Sequence, residues 1–231
     1  QYYFAGGGIV ASEGSKIYLS GDAKVLNNSA DEVGGGISLG TRQVEEQNEL
    51  YMTGGIIDGN IAGSSGGGIF IQARYYSGGA SKAYISGGQI TNNKMNGSGV
   101  TEKKFGGGGI YVNGAAPYYG GNGELHLRNA IIRNNTSELE GAGYAACPVS
   151  KTTIYVNDGV ALYENESKDL YIYCNTKTYG AHSGNPKYML SRRMLGGPLY
   201  EWIDLKNGKL LPEENYETFV EIEQHHDYIH L

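Results

Sequence analysis

The stretch SGGQITNNKMNGSGVTEKKFGGGGIYVNG, residues 86–114, holds three glycine clusters, an Asn pair and a short apolar run. Glycine weakens a strand unless the backbone must bend sharply or a second backbone must come close. The same phrases recur along the chain. GGGI stands at Gly6–Ile9, Gly34–Ile37, Gly66–Ile69 and Gly107–Ile110, and returns as GAGY at Gly141–Tyr144. An aromatic flanked by apolar residues follows each one, as IYL around Tyr18, LYM around Tyr51, AYI around Tyr84, LHL around His126 and IYV around Tyr155, and recurs once more as LYI around Tyr171. A third phrase, apolar-x-x-Asn, pairs Val25 with Asn28, Ile57 with Asn60, Ile90 with Asn93, Ile132 with Asn135 and Leu162 with Asn165.

The five asparagines are 32, 33, 42 and 30 residues apart. A unit of about thirty residues with three short strands cannot close a core alone and must stack on its neighbours. The expectation is an all-β chain, a parallel β-helix of about five to six coils, each coil contributing a GGGI strand, an aromatic strand and an apolar-x-x-Asn strand. Each triple glycine then marks a corner where coils approach to about 4.8 Å. Each Asn marks another corner, with side chains able to hydrogen-bond along the column. That inward position argues against glycosylation of sequons such as Asn135-Thr136-Ser137. Pleat alternation points Ile9, Ile37, Ile69 and Ile110 inward, and sends Tyr18, Tyr51, Tyr84, His126, Tyr155 and Tyr171 outward in one column.

After about Cys174 the phrases stop. Residues 186–231, with the sole Trp at 202 and an Asn207-Gly208 turn between apolar runs, read as a C-terminal cap over the end of the 1–185 repeat domain. The chain opens inside the repeated phrase, which reads as a piece of a longer protein.

The 231 residues include 38 Gly and 20 Tyr and carry a formal charge of -6. An acidic chain without clustered Lys and Arg does not track phosphates, so nucleic acid is not an expected partner. No apolar run is long enough to insert in a membrane as a helix. Cys147 and Cys174 are equally compatible with one disulfide and with two buried thiols.

Several classes of site compete. β-Helix polysaccharide-cleaving enzymes need carboxylates converging on a strand face; here Asp22 and Asp58 fall in neighbouring coils with no Arg beside them, and the outward positions hold Tyr. His225, His226 and His230 around Asp227 include an i, i+4 pair, but a solvated acidic tail is the simpler reading, and no metal or cofactor is expected. Lys103 and Lys104, in an insertion at Lys94–Phe105, read as a solvated loop.

The loops between GGGI and aromatic strands read GTRQVEEQNE, ARYYSGGASK and GAAPYYGGNGE. Stacking sets them side by side, with Tyr75, Tyr76, Tyr118, Tyr119, Arg74 and Arg42 as candidate ligand-binding residues. Tyr among small polar residues gives rigid amphipathic contact at low entropy cost, and exposed aromatics also stack on sugar rings. The competing reading is that these rings merely cover the loop backbone.

GGGI with apolar-x-x-Asn resembles the GGA[ILV] and FxxN repeats of polymorphic outer-membrane adhesins. It is also similar to Gly-rich β-helix repeats in large cell-wall surface proteins of Gram-positive gut bacteria. The match covers about Gly6 to Tyr173 and departs from the first family in having Ile, Val or Leu where Phe is usual. The resemblance implies a right-handed β-helix in a secreted, surface-displayed adhesin or stalk. Its implied partners are host glycoproteins such as immunoglobulin or mucin, or glycans. A passive spacer and a polysaccharide lyase or glycoside hydrolase are the alternatives.

Overall fold

The computed structural model describes residues 6–40, 47–74, 78–99, 105–115, 120–139, 141–147, 152–156, 159–167, 171–174, 188–191, 202–204 and 220–224. Among them the chain is all-β, with no helix.

Each GGGI phrase ends in a three-residue strand: Ile9–Ala11, Ile37–Leu39, Ile69–Ile71, Ile110–Val112 and Tyr144–Ala146. These five form one parallel sheet in chain order, with Ile9, Ile37, Ile69, Ile110 and Tyr144 aligned. A second, larger sheet carries the aromatic phrases, aligning Tyr18, Tyr51, Tyr84, His126 and Tyr155. A third contains only two-residue strands: Ser29–Ala30, Ile61–Ala62, Lys94–Met95, Thr136–Ser137 and Glu166–Ser167.

The apolar-x-x-Asn phrase is therefore not a third strand direction. In Glu49–Asp58 and Lys82–Thr91 it continues the aromatic strand across a β-bulge, and the third sheet begins just after the Asn. The bulge falls at the Ser/Thr-Gly pairs, where Gly55 at φ +89° and Gly88 at φ +93° bend the strand without ending it.

The corner before each ladder Asn is left-handed in every repeat: Asn27, Gly59, Asn92, Asn134 and Glu164 have φ between +54° and +66°. Gly and Asn are the residues that tolerate this backbone, and Glu164 is the exception. The GGGI corner divides its glycines between two tasks. Gly34 and Gly66, both at φ +66°, supply the turn. At Gly35 a Cβ would collide with the carbonyls of Ile61 and Gly67, and at Gly67 with those of Gly108 and Lys94.

One apolar cluster spans the two main sheets, joining Ile37, Leu39, Ile69 and Ile110 to Leu50, Met52, Ile57, Ile85 and Leu127. Each such buried side chain contributes roughly 1.5–3 kcal/mol. A second cluster lies on the other face of the glycine sheet. It unites Val33, Phe70, Tyr111 and Ala145, with Phe105 packed against it. The insertion expected as a solvated loop thus ends in an anchor: the Phe105 ring stacks on Tyr111 with centroids 5.8 Å apart. Lys103 and Lys104 lie outside the described residues.

Tyr171 does not join the aromatic column. Tyr171–Cys174, Tyr188–Ser191 and Trp202–Asp204 form an antiparallel sheet, and Val220–Gln224 takes the place beside Thr152–Val156, setting Glu223 opposite Tyr155. The reason is length. Asn135 and Ile154 are separated by a full GGGI strand and loop, whereas only four residues separate Asn165 from Leu170, too few to cross the glycine sheet and return. The antiparallel pairing crosses position 186, and the Asn207-Gly208 turn lies outside the described residues.

Candidate functional site

The loops that carry the candidate residues leave the glycine sheet and enter the aromatic sheet, and buried amides hold both ends. Asn113 Nδ2 donates to Gln72 Oε1 at 2.6 Å, and both residues are buried. Ser15 N–H donates to Asn48 Oδ1 at 3.0 Å, and Asn48 N–H to Ser81 Oγ at 3.2 Å. Burying such groups is costly unless they are paired, so these bonds fix where each loop starts and ends. Sequence reasoning missed them. Their signal was available: Gln72 and Asn113 each follow an aligned GGGI strand, and Asn48 and Ser81 each precede an aligned aromatic strand.

Neighbouring loops touch at their stems. Arg74 N–H donates to Gly121 O at 2.8 Å. The Arg74 guanidinium lies over Gly78, where an added Cβ would come within 2.8 Å of Nη1. At Gly121 a Cβ would meet Gly78 O at 2.9 Å. Ala115 N–H donates to Asn122 Oδ1 at 2.8 Å, closing the later loop on itself. Of the candidate residues only Arg74 is described. Tyr75, Tyr76, Tyr118, Tyr119 and Arg42 lie outside the described residues, as do His225, His226, Asp227 and His230.

The aromatic column is the other exposed feature. Tyr18 stacks on Tyr51 and Tyr51 on Tyr84 with centroids 5.2 Å apart; Tyr84 meets His126 at 4.7 Å and His126 meets Tyr155 at 4.3 Å, all within 25° of parallel. Rings stacked face to face along the column turn their edges to solvent. Tyr51, Tyr84 and His126 have both faces covered by neighbours, so these three cannot offer a face to a sugar.

Beside the rings runs a column of alternating charge, Lys16, Glu49, Lys82 and Glu124, in register. Lys16 Nζ reaches Glu49 at 2.7 Å and Lys82 Nζ reaches Glu124 at 3.0 Å. Tyr51 OH donates to Glu49 at 2.8 Å, and His126 Nε2 meets Glu124. The hydrogen bonds from Lys16 and then Tyr51 hold the Glu49 carboxyl below its ordinary range. For Glu124, burial pushes upward, but hydrogen bonds from His126 and Lys82 outweigh it and the net direction is downward. These carboxylates are ionised and paired with cations. Asp58 accepts from Thr91 Oγ1 and Asn92 Nδ2, tying neighbouring repeats together, while Asp22 is exposed.

Cys147 is buried, whereas the Cys174 side chain, and with it the choice between a disulfide and two thiols, lies outside the described residues. Among the described residues no group of three or more His, Cys, Asp or Glu is placed to hold a metal ion. No family model, curated protein or solved structure matches this chain.

Proposed function

We propose that the chain is a right-handed parallel β-helix serving as a non-enzymatic binding module of a bacterial surface protein. It recognises a host protein or glycan through the loops between glycine and aromatic strands. The contact of loop stems carries this reading: Arg74 N–H bonded to Gly121 O joins the ARYY loop to the PYYGG loop. The two stems in contact are those whose sequence runs on into Tyr75-Tyr76 and Tyr118-Tyr119. Bonded stems joined to Tyr-rich sequence resemble the division of labour in antibody loops.

The test is retention from host secretions and on a glycan panel, comparing the native chain with Tyr75→Ala, Tyr76→Ala, Tyr118→Ala and Tyr119→Ala combined. A ligand held by the first and lost by the second supports the module and locates its face. A ligand held equally by both moves the site elsewhere, and nothing held by either leaves a passive spacer. The spacer is the second reading, because the stacked column spends its ring faces on neighbouring repeats.

A further inference from the structure

The asparagine column runs from Asn28 through Asn60, Asn93 and Asn135 to Asn165, with each Nδ2 donating to the next Oδ1 at 2.9–3.0 Å. From Asn60 onward, every Oδ1 also accepts the backbone N–H of the preceding ladder Asn. Nδ2 of Asn60 additionally donates back to Val25 O, and Nδ2 of Asn93 to Ile57 O. Asn28 makes the forward bonds alone. Among the described residues its Oδ1 has no donor, and its Nδ2 has no carbonyl behind it.

At the same edge the backbone leaves donors open, through bonds that run from a later N–H to an earlier carbonyl. Gly40 N–H donates to Ala11 O and Ile61 N–H to Asn28 O, both at 2.9 Å. One repeat earlier the equivalent donors are Ser12 and Ser29, given the alignment of Ala11 with Leu39 and of Ser29 with Ile61. Neither N–H has a partner among the described residues. Ile9 is 36% and Val10 43% exposed, whereas their counterparts Ile37 and Ser38 are both 0%.

We infer that the first repeat is a docking edge for one further repeat of the same glycine–asparagine phrase, entering parallel and in register. Three sheet edges, Ile9–Ala11, Lys16–Leu19 with Lys24–Leu26, and Ser29–Ala30, each pair with a later repeat on one side only. A two-fold mate would run antiparallel and meet those edges in reverse order, so it cannot repeat the register of all three. The partner's chemistry follows from the existing junctions. It carries an Asn whose N–H and Nδ2 point at Asn28 Oδ1. It also carries glycine opposite Gly7, because the residue there faces a backbone carbonyl, as Gly35 faces that of Gly67. This inference stands apart from the ligand reading, since it uses only the strand junctions.

Amide hydrogen exchange at Ser12 and Ser29 tests it. In the native chain both should exchange at least ~10-fold faster than Gly40 and Ile61, which occupy the same positions inside the array. Protection already equal to Gly40 and Ile61 would mean that the edge is filled, and would overturn the inference. Protection that grows with protein concentration would assign the edge to a second copy and overturn it too. A chain in which a copy of residues 34–65 replaces residues 1–5 should slow both amides at least ~10-fold. The same extension with Asn60→Ala or Gly35→Val in the added copy should lose that protection while Gly40 and Ile61 keep theirs. An intact extension that leaves Ser12 and Ser29 unprotected would also refute it.

Discussion

Replacing Asn93 with Ala should be among the most damaging single changes in this chain, and its cost can be worked from the ladder. Asn93 is fully buried. Its Oδ1 accepts from the N–H and Nδ2 of Asn60, and its Nδ2 donates to Ile57 O and Asn135 Oδ1, at 2.9–3.0 Å. Ala removes all four bonds. At about 1 kcal/mol net each, the loss is about 4 kcal/mol, and the buried Asn60 N–H loses its acceptor outright. For a chain of this size that lowers the midpoint of thermal unfolding by roughly 8–16 °C. Asn28→Ala removes only the Nδ2 bond to Asn60, so it should cost about 1 kcal/mol and roughly 2–4 °C. Circular dichroism melts of the two variants beside the native protein make the comparison. Asn93→Asp adds a control. A carboxylate there keeps the acceptor for Asn60 but faces two oxygens, so its folded pKa rises above the unfolded value. Its stability should therefore improve as pH falls through that range. If Asn93→Ala melts within a degree or two of Asn28→Ala, the column is decoration and the reasoning fails.

Gly67→Ala drives a Cβ into the carbonyls of Gly108 and Lys94 and should cost roughly 3 kcal/mol in urea unfolding. Gly21→Ala, which meets nothing within 4 Å, should cost only about 1 kcal/mol, from its φ of +56°; equal losses would exclude close approach as the cause. Glu164→Gly should stabilise by about 0.5–1 kcal/mol, because φ +55° there strains a Glu, and a lower melting midpoint would contradict that. The lowered pKa of Glu124 means its contribution is present above the unfolded value near 4.3 and is lost as pH falls through the folded one. Glu124→Gln should therefore flatten the stability profile on the acid side of that unfolded value. The part-exposed pair limits the effect to under about 1 kcal/mol, and an unchanged acid limb would show that the pairing contributes nothing.

The repeat was legible because its corners demand particular residues. Gly67 must lack a Cβ and Asn93 must bond in two directions, so the phrases recur at fixed places and announce parallel strands in register. The facing of Tyr51 and Tyr84 followed from pleat alternation alone. Three things depended on distances that no phrase encodes. The bulge at Gly54-Gly55 carries one strand through what reads locally as a turn, since a glycine pair looks alike in either setting. Phe105 reaches Tyr111 from an insertion whose neighbouring Lys103 and Lys104 suggested solvent. Tyr171 repeats the aromatic phrase yet pairs antiparallel, because the chain between Asn165 and Leu170 is too short to supply another glycine strand and loop first. At the candidate site, the sequence named the tyrosine pairs and placed their loops together. The buried amides that hold the stems, Gln72 with Asn113 and Asn48 with Ser81, emerged only in three dimensions. A polar residue looks the same in a loop whether solvent or a neighbouring repeat satisfies it. By itself the sequence determined which residues recur and which side they face; the tertiary structure decided which recurrences join the stack, because joining needs enough chain to reach the next strand and a partner to bond with there.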